Sequence, residues 1–268
     1  MRFTKMHGLG NDFVFLVPAQ VGDHDWPSLA RRMCHRRFGV GADGLILVLP
    51  SGTADFRMRM FNPDGSEAEM CGNGIRCFGK FLLDNGFWSR PEVTVDTLAG
   101  LQKLRMHVTA GRTESVEVDM GRPALPLGAE TLHISAAGRE LDLTLVSMGN
   151  PHAVFFLDSP VDEYPLETFG PAVETHPAFP SRTNFEIVNV LSRDAIRVRV
   201  WERGAGITLA CGTGACAAAV ASRVHGHTDT SVTVHLPGGD LSVAWAGADQ
   251  SVVMTGSATT VFTGDWLL

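Results

Sequence analysis

The chain repeats itself. When Cys71-Gly72-Asn73-Gly74 is set on Cys211-Gly212-Thr213-Gly214, a shift of 140 residues, Arg57-Met58-Arg59-Met60-Phe61 falls without a gap on Arg197-Val198-Arg199-Val200-Trp201, and Leu45–Val48 falls on Phe185–Val188. At a shift of 139, Gly10-Asn11 falls on Gly149-Asn150, and Val93-Thr94-Val95 on Val232-Thr233-Val234. The one-residue difference is a change in loop length. Matches in the same order along the chain are the mark of duplication, and the spacing is far longer than the roughly 20–50 residues of a solenoid repeat. The expectation is therefore two copies of one domain, with two-fold pseudosymmetry setting equivalent segments face to face.

Short β-rich runs with partial alternation recur at Phe56–Phe61, Val93–Thr97, Lys103–Val108, Ser115–Met120, Ala153–Leu157, Ile196–Trp201, Val232–Leu236 and Leu241–Trp245. Two helices are expected among them. One runs from about Ile75 to Asn85-Gly86, and the other from about Gly214 to near Gly226. The second contains Ala215-Cys216-Ala217-Ala218-Ala219-Val220-Ala221, apolar on every side and so expected to be buried on every side. The reading is class α+β, with two pseudosymmetric domains, each a curved sheet or barrel wrapped around a central helix. The boundary is placed near Gly121-Arg122-Pro123, giving halves of 1–120 and 121–268 with a site in the cleft between them, and leaving open a return of the last residues to the first half.

Each expected helix is preceded by Cys-Gly-x-Gly. The glycines permit close approach of a ligand, and the N–H groups of a helix start suit a carboxylate. A cysteine at that place is expected to have its pKa lowered by the same groups. Each half would then bring a reactive thiol beside a carboxylate cradle. This arrangement fits inversion of a stereocentre, which needs a base on one face and an acid on the other, with helix starts stabilising the charge that develops. One thiol must be ionised while the other is not, so the two would titrate as a coupled pair. The bland alternative is a buried structural cysteine at each helix start, and the repeat weighs against it. Zinc is disfavoured because Cys71 with Cys77, and Cys211 with Cys216, lack the C-x₂₋₄-C spacing. Cys77 and Cys216 read as core, and Cys34, after Arg31-Arg32-Met33, as structural.

Composition narrows the partners. The 268 residues carry a formal charge of -7 and no basic run, which argues against nucleic acid. No segment has the roughly 20 apolar residues of a membrane span, and the first residues lack an apolar signal core. Together with five cysteines, an odd number, this gives a cytoplasmic expectation without a disulfide framework.

The motifs His7-Gly8-Leu9-Gly10-Asn11-Asp12-Phe13, Phe61-Asn62-Pro63-Asp64-Gly65-Ser66, Met70-Cys71-Gly72-Asn73-Gly74-Ile75-Arg76-Cys77, Met148-Gly149-Asn150-Pro151-His152, Glu202-Arg203-Gly204-Ala205-Gly206 and Ala210-Cys211-Gly212-Thr213-Gly214-Ala215-Cys216 stand in this order along the chain. The sequence resembles the diaminopimelate epimerases throughout. Proline racemases and phenazine-type isomerases share that fold but not this full set of motifs. The resemblance implies conversion of LL-diaminopimelate to the meso form in lysine and cell-wall precursor synthesis, with no cofactor and no metal. It implies Cys71 and Cys211 as the acid/base pair, and His152 and Glu202 as residues that tune them. Gly72, Asn73, Gly212 and Thr213 match positions that bind the reacting carboxylate. Asn11, Asn62, Asn150, Asn184, Glu202 and Arg203 match substrate-binding positions. It leaves a homodimer open.

Four asparagines and an arginine suit a zwitterion with two amines and two carboxylates, and Arg203 could grip the distal carboxylate with two prongs. The repeat also shows where symmetry breaks: Glu202 aligns with Asn62, His152 with Phe13, and Gly44 with Asn184. Some members of the family carry glutamine near Gly44, which leaves Asp43 and Gly44 in doubt as site residues. Three other readings compete, one of them a non-catalytic amino-acid binding module, which would have no need for paired thiols. Racemisation of proline or hydroxyproline would need an apolar pocket in place of the asparagines and Arg203. A thiol–disulfide oxidoreductase would be expected to carry C-x-x-C, absent here.

Overall fold

A computed structural model describes residues 1–267. The chain divides into two units, Met1–Val118 joined by the residues from Gly256 onward, and Asp119–Thr255. In the first unit the strands are β1 (Arg2–Gly8), β2 (Asn11–Leu16), β3 (Gly44–Leu49), β4 (Phe56–Phe61), β5 (Glu67–Ala68), β6 (Glu92–Thr97), β7 (Gly100–Thr109) and β8 (Arg112–Asp119). Its helices are α1 (Pro18–Val21), α2 (Trp26–Cys34) and α3 (Gly72–Asp84). The second unit holds β9 (Thr131–Ala136), β10 (Arg139–Ser147), β11 (Pro151–Phe156), α4 (Leu166–Glu174), β12 (Asn184–Ser192), β13 (Ala195–Glu202), β14 (Gly206–Thr208), α5 (Gly212–Val224), β15 (Ser231–Leu236) and β16 (Gly239–Ala244). The last strands are β17 (Val253–Ser257) and β18 (Thr259–Asp265).

Both units follow one pairing scheme. In the first, β1 pairs antiparallel with β2, β2 parallel with β3, β3 antiparallel with β4, and β4 antiparallel with β5 and parallel with β6, which pairs antiparallel with β7. In the second, β10, β11, β12, β13, β14, β15 and β16 repeat these pairings in the same order and sense. The register repeats as well. Leu45 stands opposite Phe61 and Phe185 opposite Trp201, while Phe13 stands opposite Gly44 and His152 opposite Asn184. The duplication read from sequence is thus present residue by residue in the ladders.

The central helices are α3 and α5. Each starts directly after its cysteine, so Cys71 and Cys211 are the N-cap residues and the Gly-x-Gly lies in the first turn, a few residues earlier than the sequence reading placed the helix starts. Each helix is stopped by a glycine at positive φ, Gly86 (φ 73) and Gly226 (φ 71), where a residue with a Cβ would be strained. Every residue from Gly72 to Leu82 is buried, as is every residue from Gly214 to Ser222. The two helices fill their units differently. In α3, Phe78 and Phe81 supply bulk, and Phe81 stacks on Phe15 at 5.3 Å between centroids. In α5 the alanines keep the helix slim, and good helix propensity offsets the small area each one buries.

Against the outer side of each sheet lies a crossover helix that serves the parallel connection. Trp26, Leu29, Ala30 and Met33 of α2 join Val14, Leu16, Leu45 and Leu47 in one core cluster. Leu166, Phe169 and Val173 of α4 join Phe185 and Ile187 in another. Each large apolar side chain buried in this way stabilises by roughly 1.5–3 kcal/mol. Cys34, at the end of α2, is part of the first cluster, and burial pushes its thiol up to about 12. Cys77 is likewise fully buried and pushed up to about 12, first by burial. Both behave as core residues. No helix among the described residues is long and apolar enough to cross a membrane.

Candidate active site

In the first unit the N-cap Cys71 lies beside the start of β2. Its Sγ donates to Asn11 Oδ1 at 3.5 Å, and Asn73 Nδ2 donates to the same oxygen at 3.2 Å. The asparagine is held from behind, because its Nδ2 donates to Asp43 Oδ2 at 2.8 Å. Asp43 also receives Arg36 at 2.6 Å, and Arg36 reaches Asp12 at 2.9 Å. Burial works against charge on Asp12, but hydrogen bonds from Arg36 and Lys5 outweigh it and hold the carboxyl below its usual range. Lys5 Nζ lies 2.7 Å from Asp12 and also donates to Gly41 O. From the helix side, the fully buried Arg76 donates to Asn73 Oδ1 at 2.8 Å and to Gly72 O at 3.0 Å. The bonded pair of Asn11 and Asn73 is thus held between two charged groups, Asp43 behind Asn11 and Arg76 behind Asn73. Asp43 supports Asn11, so its place near the site is indirect.

Gly44 is packed closely. A Cβ there would stand 3.1 Å from Phe61 O and 3.0 Å from Met60 Cε, so a longer side chain would require its neighbours to shift. Asn62 sits in the turn from β4 to β5 and donates to Ser66 Oγ at 2.9 Å.

The second unit gathers more of the expected residues. Cys211 Sγ accepts from Gly214 N at 3.3 Å and lies 3.5 Å from Thr213 Oγ1. Asn150 Nδ2 donates to Thr213 Oγ1 at 3.3 Å. Asn150 Oδ1 lies 3.0 Å from His152 Nε2, and His152 Nδ1 lies 2.7 Å from Glu186 Oε1. Glu202, at the end of β13, accepts from Thr208 Oγ1. Burial pushes the Glu202 carboxyl up, the hydrogen bond from Thr208 opposes this, the charge of Glu186 adds to it, and a hydrogen bond from Cys211 opposes it again.

At Cys211 the expected lowering by the helix start is overcome. The Gly214 N–H does favour the thiolate, but burial, followed by the charges of Glu202 and Glu186, pushes the thiol well above its ordinary value. A lone helix start offers a few tenths to about 1 kcal/mol, too little to overcome full desolvation beside two carboxylates.

Asn184 and Arg203 stand together at the mouth of the β12–β13 pair. Asn184 is buried, donates to Pro151 O at 2.8 Å and accepts the Arg203 backbone N–H at 2.9 Å. It thereby ties the loop after β13 to the start of β11. The Arg203 guanidinium is exposed and donates to Ser181 O at 3.0 Å.

Sequence reasoning did not single out Glu186, which stands directly behind His152. It is fully buried, its Oε2 has no hydrogen-bond partner, and burial pushes its carboxyl up against the opposing charge of His152. The signal was present in the repeat, which sets Glu186 on Ile46.

The sequence matches the family model described as diaminopimelate epimerase over residues 3–126 and 144–261. It is 54% identical to a diaminopimelate epimerase of Moorella thermoacetica, with both chains covered in full. It is 50% identical to one from Desulfitobacterium hafniense, covering 98% of this chain and 97% of the relative. Among solved structures it is similar to a Bacillus anthracis phenazine biosynthesis protein of the PhzF family, with a TM-score of 0.77, 17% identity, and coverage of 100% and 99% of the two chains. At that identity the likeness is one of fold.

Proposed function

The chain belongs to the diaminopimelate epimerase family, and on that premise we propose that it converts LL-2,6-diaminopimelate to meso-diaminopimelate in the cytoplasm, as a step of lysine biosynthesis, by proton transfer at one α-carbon between Cys71 and Cys211. The observation that carries this reading is the placing of both cysteines as N-caps of matched central helices, in a chain about half identical to named epimerases from end to end.

The chemistry asks little else of the protein. One thiolate removes the α-proton, and the opposite thiol delivers its own proton to the other face. The reacting carboxylate is received at the first turns of the helices by Gly72, Asn73, Gly212 and Thr213, where helix N–H groups favour negative charge. The environment of Cys211 favours its protonated form. Both thiols serve in turn, since the reverse reaction exchanges the roles of acid and base. His152 and Glu202 bias Cys211, while Asn11, Asn62, Asn150, Asn184 and Arg203 contribute to recognition of the zwitterion. Arg203 and the asparagines favour this substrate over a secondary amine such as proline, which has no distal carboxylate to bind.

The test is incubation with LL-diaminopimelate in D₂O followed by chiral separation and mass analysis. Meso product carrying one deuterium at the inverted carbon is expected. Absence of deuterium at Cα, or inversion of proline but not diaminopimelate, would reject the proposal.

A further inference from the structure

The two repeats differ at one pair of positions directly behind the helix starts. In the first unit the second glycine of the motif, Gly74, is backed by Ile46 and Phe13: a Cβ on it would stand 3.0 Å from Ile46 Cδ1 and 3.6 Å from Phe13 Cζ. In the second unit the equivalent positions hold Glu186 and His152. A Cβ on Gly214 would stand 2.8 Å from Glu186 Oε1. The ladder register is the same in both, with Phe15 opposite Ile46 and Val154 opposite Glu186. An apolar pair has been exchanged for an acid and an imidazole, 2.7 Å apart, with both side chains essentially inaccessible. Packing alone would be served better by the apolar pair, since a buried polar pair must recover a desolvation cost.

The exchange reverses the orientation of an asparagine. Asn11 and Asn150 are equivalent in the repeat. Asp43, bound to Arg36, is an acceptor only, so Asn11 must turn its NH₂ toward it and its carbonyl toward Asn73 and Cys71. Asn150 has an imidazole behind it. A buried pair of Glu186 and His152 is cheapest when its net charge is zero, which requires one more proton than a carboxylate with a neutral Nδ1–H imidazole. The neutral forms that leave no proton unpaired are carboxylate with imidazolium, and carboxylic acid donating to Nδ1 of a neutral ring, because a proton on Glu186 Oε2 would have no partner. In both forms Nε2 carries a proton and donates to Asn150 Oδ1. The Asn150 NH₂ then faces Thr213 Oγ1, and the Thr213 O–H remains available for Cys211 Sγ.

We propose that Glu186 is a positioning residue that keeps a proton on His152 Nε2, and so fixes Asn150 as a donor to Thr213 and Thr213 as a donor to Cys211. When Cys211 has given up its proton, its sulfur is met by the Gly214 N–H and the Thr213 O–H. The equivalent asparagine in the other unit presents an acceptor to Cys71. The repeat thereby gives its two thiols opposite hydrogen-bonding partners. The inference rests on Cys211 being one of the two catalytic thiols, but its test needs no turnover.

The variant is Glu186→Gln, read by the pH dependence of iodoacetamide labelling at each cysteine, resolved by peptide mass spectrometry. Two titratable groups act on Cys211 directly in its unit, Glu202 from β13 and Glu186 from β12, and His152 from β11 reaches it through Asn150 and Thr213. Glutamine can meet the ring by its carbonyl accepting from Nδ1–H or by its amide donating to Nδ1, and ¹⁵N-histidine spectra of the variant say which. With the proton on Nδ1, Nε2 becomes an acceptor, Asn150 turns over, and Thr213 donates to Asn150 instead of to sulfur. In the proposed relay the Glu186–His152 pair is net neutral before and after the substitution, so loss of the Thr213 donor decides the shift: the labelling midpoint of Cys211 is expected to rise by about one pH unit, a tenfold lower rate at a fixed pH below it, with the midpoint of Cys71 unchanged. A fall would mean that Glu186 acts on Cys211 as a bare charge, and no change would mean that it acts as packing. A common shift of both cysteines would mean general loosening. Each of these three results overturns the proposal. Should the variant fail to fold, ¹⁵N-histidine spectra of the unaltered protein, with His152 assigned by the signal lost in His152→Gln, decide the matter. A protonated Nε2 at neutral pH supports the relay, and a bare Nε2 with a proton on Nδ1 rejects it. Failure of the two-cysteine reading is seen separately, as full turnover by Cys211→Ala.

Discussion

Cys71 and Cys211 occupy the same place in two copies of one design, yet their neighbours differ in kind. Cys71 touches an amide carbonyl, whereas Cys211 lies among two glutamates, a hydroxyl and a backbone N–H. Neither should substitute for the other. Cys71→Ala and Cys211→Ala are each expected to lower kcat by at least the roughly 10²–10⁴-fold of a lost acid or base, with thermal melts unchanged; ordinary turnover by either variant in a direct assay would end the two-base mechanism. Arg203→Lys tests recognition. Lysine keeps the charge but not the planar fork, and KM is expected to rise about tenfold with a smaller change in kcat, from steady-state kinetics. At this scale the matched cysteines stood out because they recur, whereas the roles expected of His152, Glu202 and the asparagines came from the family resemblance. Glu186 was not legible. Within Asn184-Phe185-Glu186-Ile187-Val188 it reads as the solvent-facing member of a strand, and only the depth of β12, covered on both faces by α4 and α5, makes it a buried acid.

The elements that pattern revealed are those with one covered face or a clear stop. The alternation of β6, β13 and β15 follows from one buried side, and the ends of α3 and α5 from their glycines. Strand β3 is buried almost throughout, so its continuous run Leu45-Ile46-Leu47-Val48 has no period to read. Helix α4 is short and carries Pro171 inside it, a residue that argues against a helix when only sequence is seen. Its place is set instead by tertiary contact. Gly170 lies so close to the indole of Trp201 that a Cβ would come within 2.3 Å of the ring. Gly170→Ala should therefore push α4 off β13 and destabilise by about 1–3 kcal/mol, as overpacking does. The expected observation is a lower urea midpoint at unchanged m-value, and an unchanged midpoint would mean that the ring simply turns aside. Trp201 also donates to Glu174 at 2.7 Å, so its indole is held on both sides and has little room to turn.

Across the whole molecule, acid should act on the two units in opposite senses. In the first, Asp84 is opposed by burial but held below its usual range by Lys80 and by Thr113, and Asp12 is likewise lowered. Their stabilising contribution is present above the unfolded value of about 3.9 and is lost as pH falls through the depressed folded value. In the second, Glu186 and Glu202 are raised, chiefly by burial. Their contribution is complete below about 4.3 and is lost as pH rises through the raised value. As pH falls toward about 4.3 the strands around Glu186 and Glu202 should gain protection in hydrogen exchange followed by mass spectrometry, and below about pH 4 the strands around Asp12 and Asp84 should open before them. Simultaneous opening of both units would refute this account. A different consequence follows from β1, which pairs with β2 on one side and with β18 on the other, Arg2 standing opposite Asp265. A ribosome that has released residues 1–118 has released a sheet with one border bare, and all of residues 119–255 must emerge before the strand that covers it. Throughout that interval the nascent chain offers a strand edge to any neighbour able to pair with it. Duplication gave this protein two similar halves, but only the second is contiguous along the message; the first depends, for its last strand, on the completion of the other.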